Sequence, residues 1–267
     1  MPAKPRLGQN FLNDTQAIER IASSLGDLSG RTVVEVGPGA GAITSALAAR
    51  AAHVIAVERD RDLVPILTAE LLEATAAGKL TIVEGDALDV DWGARVASGP
   101  RPHAIAGNLP YLITGKLLER AVGLADAIDC AVFMLQAEVA ERLAAEPDSE
   151  AYGALSVFVQ AAFAVKKILT VKGGAFYPRP EVDSAVVLLV PHRPRRAAET
   201  AAFRALVKGA FGARRKTLRN AWKGLFGWSR EELEAAAQEA GISLDARGET
   251  LGVEAFARMA GKAEGEG

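Results

Sequence analysis

The chain holds one cysteine and three histidines, and only 6% of its residues are aromatic. A single thiol cannot close an internal disulfide, and Cys130 sits inside the apolar run 128–135, so it reads as a buried core residue. His53, His103 and His192 are scattered, and with one cysteine they suggest no metal site. No stretch approaches the ~18 consecutive apolar residues that would span a bilayer. The N-terminus lacks the basic start, apolar run and small-residue cleavage site of a secretion signal, so a cytoplasmic protein with no membrane partner is expected. What is present is ordinary for a soluble globular protein: 267 residues, 49% hydrophobic and 24% charged, enough for one sizeable domain and a small second one.

An excess of either charge is also missing overall, since the net charge is -2. The average hides a local concentration. Between His192 and Lys223 there are ten Lys or Arg against the single acid Glu199. In an otherwise acidic chain, that density points to a phosphate-backbone partner more than to a solvated helix face.

Short apolar runs rich in β-branched residues recur at 32–36, 53–57, 80–83, 103–106 and 130–135, separated by Ala- and Leu-rich helical stretches. Such near-continuous apolar strands belong to a parallel sheet covered on both faces, an α/β doubly wound architecture. His53 and His103 mark strand starts. Runs at 167–171 and 185–190 complete the sheet, with an antiparallel pairing expected at the end. Pro191 and Pro194 mark a change of composition, after which helices are expected over 200–211, 213–225, 229–240 and 253–259. Ser229 and Glu232 would form a capping box on the third of these, and residues from Gly261 onward would fray. The organisation is therefore residues 1–192 as the sheet domain and 193–267 as a small C-terminal helical domain.

The first strand runs into Glu35-Val36-Gly37-Pro38-Gly39-Ala40-Gly41, a turn in which backbone can approach a ligand closely. Gly37, Gly39 and Ala42 also satisfy a dinucleotide pattern, so NAD competes with other nucleotides at this point. Glu58, 21 residues after Gly37, stands where a carboxylate can accept both ribose hydroxyls. The third strand ends in Asp86, an acceptor for an adenine amino group, and the fourth in Asn108-Leu109-Pro110-Tyr111. One polar group at each strand end is the layout of a class I (Rossmann-like) methyltransferase, with S-adenosylmethionine and no metal.

Asn-Leu-Pro-Tyr suits an aryl amine. The lone pair of an adenine N6 is delocalised into the ring, so the amine must be held in tetrahedral geometry before it can attack. The Asn108 side-chain oxygen and a backbone carbonyl, that of Leu109, can each accept one N6 hydrogen. Pro110 fixes the backbone, and Tyr111 offers a face for a base to stack on. A dehydrogenase would have no use for this tetrapeptide.

Together with Gly8-Gln9-Asn10-Phe11-Leu12, Phe133-Met134-Leu135-Gln136, Tyr152-Gly153, the segment 176–184 and Arg214-Arg215-Lys216-Thr217-Leu218-Arg219-Asn220, these motifs resemble the dimethyladenosine transferase family, the small-subunit (16S) rRNA adenine N6,N6-dimethyltransferases. The resemblance covers nearly the whole chain. It implies that Asn10, Leu12, Gly37, Glu58, Asp86 and Asn108 hold S-adenosylmethionine, and that Phe176 sandwiches the target base opposite Tyr111. It further implies a helix carrying Arg214, Arg215, Lys216 and Arg219 against rRNA phosphates. The expected substrate is two adjacent adenosines near the rRNA 3′ end, within a partly assembled 30S-type subunit and acted on by a monomer. The related erythromycin-resistance methylases of large-subunit rRNA are the alternative, and the Arg-Arg-Lys-Thr-Leu-Arg-Asn segment speaks against them. One departure from the family pattern is Leu112-Ile113-Thr114, where relatives often carry Asn-Ile-Ser.

Overall fold

A computed structural model describes residues 9–213 and 215–265. In chain order the elements are β1 (Phe11–Leu12), α1 (Thr15–Ser24), β2 (Thr32–Val36), α2 (Ala42–Ala48), β3 (His53–Glu58), α3 (Val64–Glu70), α4 (Leu72–Ala76), β4 (Leu80–Glu84), α5 (Trp92–Ala97), β5 (His103–Asn108) and α6 (Thr114–Gly123). There follow β6 (Cys130–Gln136), α7 (Ala137–Ala144), α8 (Ala154–Ala162), β7 (Phe163–Val171), β8 (Phe176–Tyr177), β9 (Ser184–Pro191), α9 (Ala201–Gly212), α10 (Leu218–Ala221), α11 (Arg230–Glu239) and α12 (Val253–Glu264). They form two compact units. The first comprises residues up to Ala140 together with Ala164–Pro191, the second Glu141–Phe163 together with residues from His192 onward.

The first unit is built on a seven-stranded sheet of order β4-β3-β2-β5-β6-β9-β7. The pairings among β2, β3, β4, β5 and β6 are parallel, and β9 is antiparallel to β6. Every residue of β2 is buried, as expected of a central strand covered on both faces. From β2 the chain winds first toward β4 and then back through β5 to β6. That reversal opens a crevice at the carboxyl ends of β2 and β5, where doubly wound sheets bind ligands. β3 and β5 begin at His53 and His103, and Cys130 is a buried free thiol whose pKa is raised by burial. β7 starts four residues before the apolar run that signals it, because its outer part carries the exposed Lys166 and Lys167.

A separate antiparallel ribbon joins β1 to β8, with Phe11 opposite Tyr177 and Leu12 opposite Phe176. Opposed residues of a ribbon share a face and successive residues alternate. Leu12 and Phe176 point into the core beneath the sheet, among Ile21, Val132 and Val186.

The second unit is helical. Its core gathers Tyr152, Phe203, Trp222 and Phe256, and α8 contributes Val157 and Ala161 from a part of the chain that precedes the expected 192/193 boundary. The Trp222 indole donates to the Leu206 carbonyl at 2.9 Å and the Tyr152 hydroxyl to that of Leu251 at 2.9 Å, so both large aromatics are buried without orphan donors. Burial pushes the Tyr152 phenol up to about 12. Thr200 caps α9, and the Ser229–Glu232 capping box opens α11 as its spacing predicts.

Two expectations for this unit are corrected. The stretch 213–225 is not one helix: Ala213 leaves the helical region, 215–217 form a turn, only Leu218–Ala221 is α-helical, and Gly224 takes a left-handed conformation. The C-terminal helix does not fray at Gly261 but runs to Glu264, where Gly265 at φ 77° ends it. Among the described residues no helix is long and apolar enough to cross a membrane.

Candidate active site

The crevice is a cleft of about 1130 Å³, its solvent-open part included. Strand ends supply its floor. After β2 the chain turns through Gly37 and Gly39 at φ 68° and 59°, a backbone that side chains rarely adopt. A Cβ on Gly39 would also press on the Phe11 ring at 3.2 Å, so the turn leaves bare backbone facing the cleft. Gly107 is required for another reason: a Cβ there would lie 2.4 Å from the Val36 carbonyl, and its absence lets β5 carry Asn108 close to the glycine turn.

Glu58, at the end of β3, is buried and lines the cleft. Its two oxygens each accept one backbone N–H, from Gly39 at 3.0 Å and from Asp60 at 2.7 Å, which fixes the carboxylate in the plane of the turn. Burial raises its pKa, while these hydrogen bonds oppose the rise. Second lone pairs remain on both oxygens, the arrangement a vicinal diol needs. Asp86 lies beyond β4, with one oxygen on the Leu88 N–H at 2.9 Å and the other 3.1 Å from Arg59. Arg59 lines the cleft too, and sequence reasoning missed it; a cation immediately after Glu58 at a strand end was the available signal.

The segment before α1 closes the site. Gln9 donates to Asp60 at 2.8 Å, and the Asn108 side-chain nitrogen donates to the Asn10 carbonyl at 2.9 Å. That second bond uses one amide N–H and leaves the Asn108 oxygen able to accept from a ligand. Leu109 is buried, its N–H on the Met134 carbonyl at 2.9 Å. The Pro110 carbonyl is taken up by the Ile113 N–H and the Thr114 hydroxyl, at 3.1 and 3.0 Å. Tyr111 lines the cleft, and its hydroxyl shares a 2.8 Å hydrogen bond with Ser184; burial raises its pKa and that bond opposes the rise.

Asn10, Leu12, Gly37, Glu58, Asp86, Asn108, Leu109, Pro110 and Tyr111 thus all line one cleft. Phe176 does not join them. It is 4% exposed in the core opposite Leu12, because the period-two alternation of its ribbon turns it inward, and its neighbour Tyr177 is 65% exposed. Of the basic residues, Arg215 and Lys216 are exposed in the turn before α10, whereas Arg214 lies outside the described residues. Arg219 is engaged within its own unit, 2.6 Å from Glu234 and 3.2 Å from Asp245.

A further acid lies beneath the glycine turn. Glu35 is 1% exposed, and neither of its carboxyl oxygens has a hydrogen-bond partner, nor does the neighbouring Thr44 hydroxyl. Burial, reinforced by the nearby Glu58 and opposed by the Thr44 hydroxyl, pushes its pKa up to about 8. Among the described residues no group of three or more His, Cys, Asp or Glu could hold a metal ion.

A doubly wound sheet with a glycine turn, a ribose-type carboxylate and an Asn-Leu-Pro-Tyr strand end defines a class I methyltransferase fold. A dimethyladenosine transferase from Plasmodium falciparum superposes with a TM-score of 0.78 at 22% identity, covering 93% of this chain and 95% of that one. The 23S rRNA methyltransferase ErmE gives 0.70 at 27% identity, covering 96% and 100%. In sequence, the ribosomal RNA small subunit methyltransferase A of Geobacter sulfurreducens is 41% identical over 263 residues, 96% of this chain and 94% of its own. The profile of the ribosomal RNA adenine dimethylase family matches residues 2–264, and the chain belongs to that family.

Proposed function

We propose that the protein transfers methyl groups from S-adenosylmethionine to the N6 amines of two adjacent adenosines near the 3′ end of small-subunit rRNA, presented in a partly assembled subunit to a monomeric enzyme. The observation that carries this reading is the Asn108–Asn10 hydrogen bond, which engages the amide nitrogen on a main-chain carbonyl and supports the Asn108 oxygen as the acceptor for an exocyclic amine. Relatives at about 40% identity named for the small subunit favour this substrate over that of the erythromycin-resistance type.

The residues present fit the cofactor. Glu58 would accept the ribose hydroxyls, Asp86 the adenine amino group, and the bare backbone of Gly37 and Gly39 would lie along the methionine end with Asn10 and Leu12. When bound, S-adenosylmethionine supplies an electrophilic methyl group on a sulfonium. The chain's own contribution is to hold the nucleophile. Asn108 and the Leu109 carbonyl each accept one N6 hydrogen and draw the amine toward tetrahedral geometry, so its lone pair points along one line. Tyr111, held by Ser184, supports the base ring. The N6 proton is lost to solvent after transfer, and no strong general base is needed. Arg215 and Lys216 engage phosphates of the rRNA outside the cleft.

The test is incubation with tritiated S-adenosylmethionine and unmethylated small subunits, followed by digestion to nucleosides. Label in N6,N6-dimethyladenosine from the 3′ end is the expected result; label only on naked large-subunit RNA would overturn it. Replacing Arg215 and Lys216 together by alanine should weaken subunit binding and lower the slope of log affinity against log salt by about 2.

A further inference from the structure

We propose that Tyr177 and Arg179 form a nucleotide subsite for the RNA residue adjoining the adenosine under methylation, its base stacked on the tyrosine ring and its phosphate against the guanidinium. The proposal rests on the RNA substrate named above. Its first support is the parity of the β1·β8 ribbon. Leu12 and Phe176 occupy the core face, so Phe11 and Tyr177 occupy the other. Phe11 lines the cleft and stands against the glycine turn, while Tyr177, directly opposite it, is 65% exposed. An aromatic side chain left that open beside a ligand cleft has a flat face to offer.

The second support is how the segment is held. Residues 177–184 are tied to the cleft walls at both ends, by the pairing of Tyr177 with Phe11 and by the Ser184–Tyr111 hydrogen bond. Tyr111 lines the opening, and the segment that runs from Tyr177 meets it at Ser184. A target nucleotide enters that opening still bonded to its neighbours, so the next residue along the strand has to lie on the rim.

A cation stands beside the ring. Arg179 is exposed two residues from the ring. The nearby Asp183 carboxylate is taken by Lys172 at 2.7 Å and by the Gly173 N–H at 3.2 Å, and its pKa is lowered by Lys172 first. Lys172 and Arg179 balance Glu181 and Asp183, and Arg179 is the cation that stands within two residues of the ring. A base platform beside a cation is the combination used for single-stranded nucleic acid.

The test is steady-state methylation of unmethylated small subunits by Tyr177→Ala, Tyr177→Phe and Arg179→Gln, with KM measured for both substrates. Loss of one stacked base predicts a rise of about tenfold in the subunit KM for Tyr177→Ala. The KM for S-adenosylmethionine and kcat should stay within about twofold, and Tyr177→Phe should restore the wild-type value. Arg179→Gln should raise the subunit KM and lower its salt slope by about 1. A subunit KM unchanged in Tyr177→Ala, or an equal rise in the KM for S-adenosylmethionine, overturns the subsite while leaving the enzyme's assignment intact. Absence of transfer by the wild-type protein overturns that assignment, and the subsite with it.

Discussion

The two ends of the cleft are built by different means. At the end proposed for the nucleotide, the surface is the backbone of the turn through Gly37 and Gly39 with one side chain, the Glu58 carboxylate, fixed by two backbone N–H donors. At the base end, it is side chains, Asn108 and Tyr111, each aimed by one hydrogen bond to a distant part of the chain. The first construction tolerates no added atoms and takes its partners from within 19 residues along the chain. The second is adjustable and fails when a partner is removed.

Four measurements would break or sharpen this contrast. Asn108→Ala removes the acceptor proposed to hold the amine, and kcat should fall by about 10³-fold with a much smaller loss of cofactor affinity, as single-turnover methylation and calorimetry would show. A loss of cofactor binding instead would mean the two ends are not separable. Next, Gly107→Ala forces a Cβ into the Val36 carbonyl and should destabilise the fold by ~1–3 kcal/mol in denaturant unfolding, whatever the ligand.

Glu35→Gln tests the buried acid. A folded-state pKa near 8 against an ordinary 4.5 means the folded protein keeps a proton the unfolded chain gives up. Stability is then fully present below about pH 4.5 and declines by ~1.4 kcal/mol per pH unit as pH rises toward 8, above which the loss is complete. The Gln variant should lose this slope; an unchanged pH profile would show that Glu35 is not the group responsible. Smallest is Ser184→Ala, which leaves the Tyr111 hydroxyl without its partner. A cost of ~1 kcal/mol corresponds to about a fivefold loss in kcat/KM for the subunit, and no change would show that the ring needs no anchor.

The same contrast explains what could be read from the sequence. Strand starts at Thr32, His53 and His103 follow from runs of apolar residues, and the polar residues Glu58, Asp86 and Asn108 at or just past the ends of runs come to line the cleft, so that wall is legible as a list of strand ends. Ser229 and Glu232 reveal a capping box because its partners are three residues apart. Where position depends on remote partners, the reading stops. Which of Phe176 and Tyr177 is buried and which is exposed is decided by the pairing with Phe11 and Leu12, from the opposite end of the unit's sequence. Arg219 looks like its basic neighbours until Glu234 and Asp245 fold against it. The helix expected over 213–225 is broken by a turn that alanine and leucine content does not announce, and Gly261 reads as an end although the left-handed stop is Gly265.

The bond from Asn108 to the Asn10 carbonyl also sets which bases are refused. With one N–H committed there, the amide would turn its oxygen's lone pairs to an incoming ring. An adenine brings hydrogens to that point, whereas guanine or hypoxanthine brings a carbonyl oxygen, and two sets of lone pairs would face each other with no water between them. Discrimination by purine type would then be decided by a main-chain atom of residue 10, which touches no base, and a change in the path of that short N-terminal segment would blur it without altering any residue of the catalytic loop.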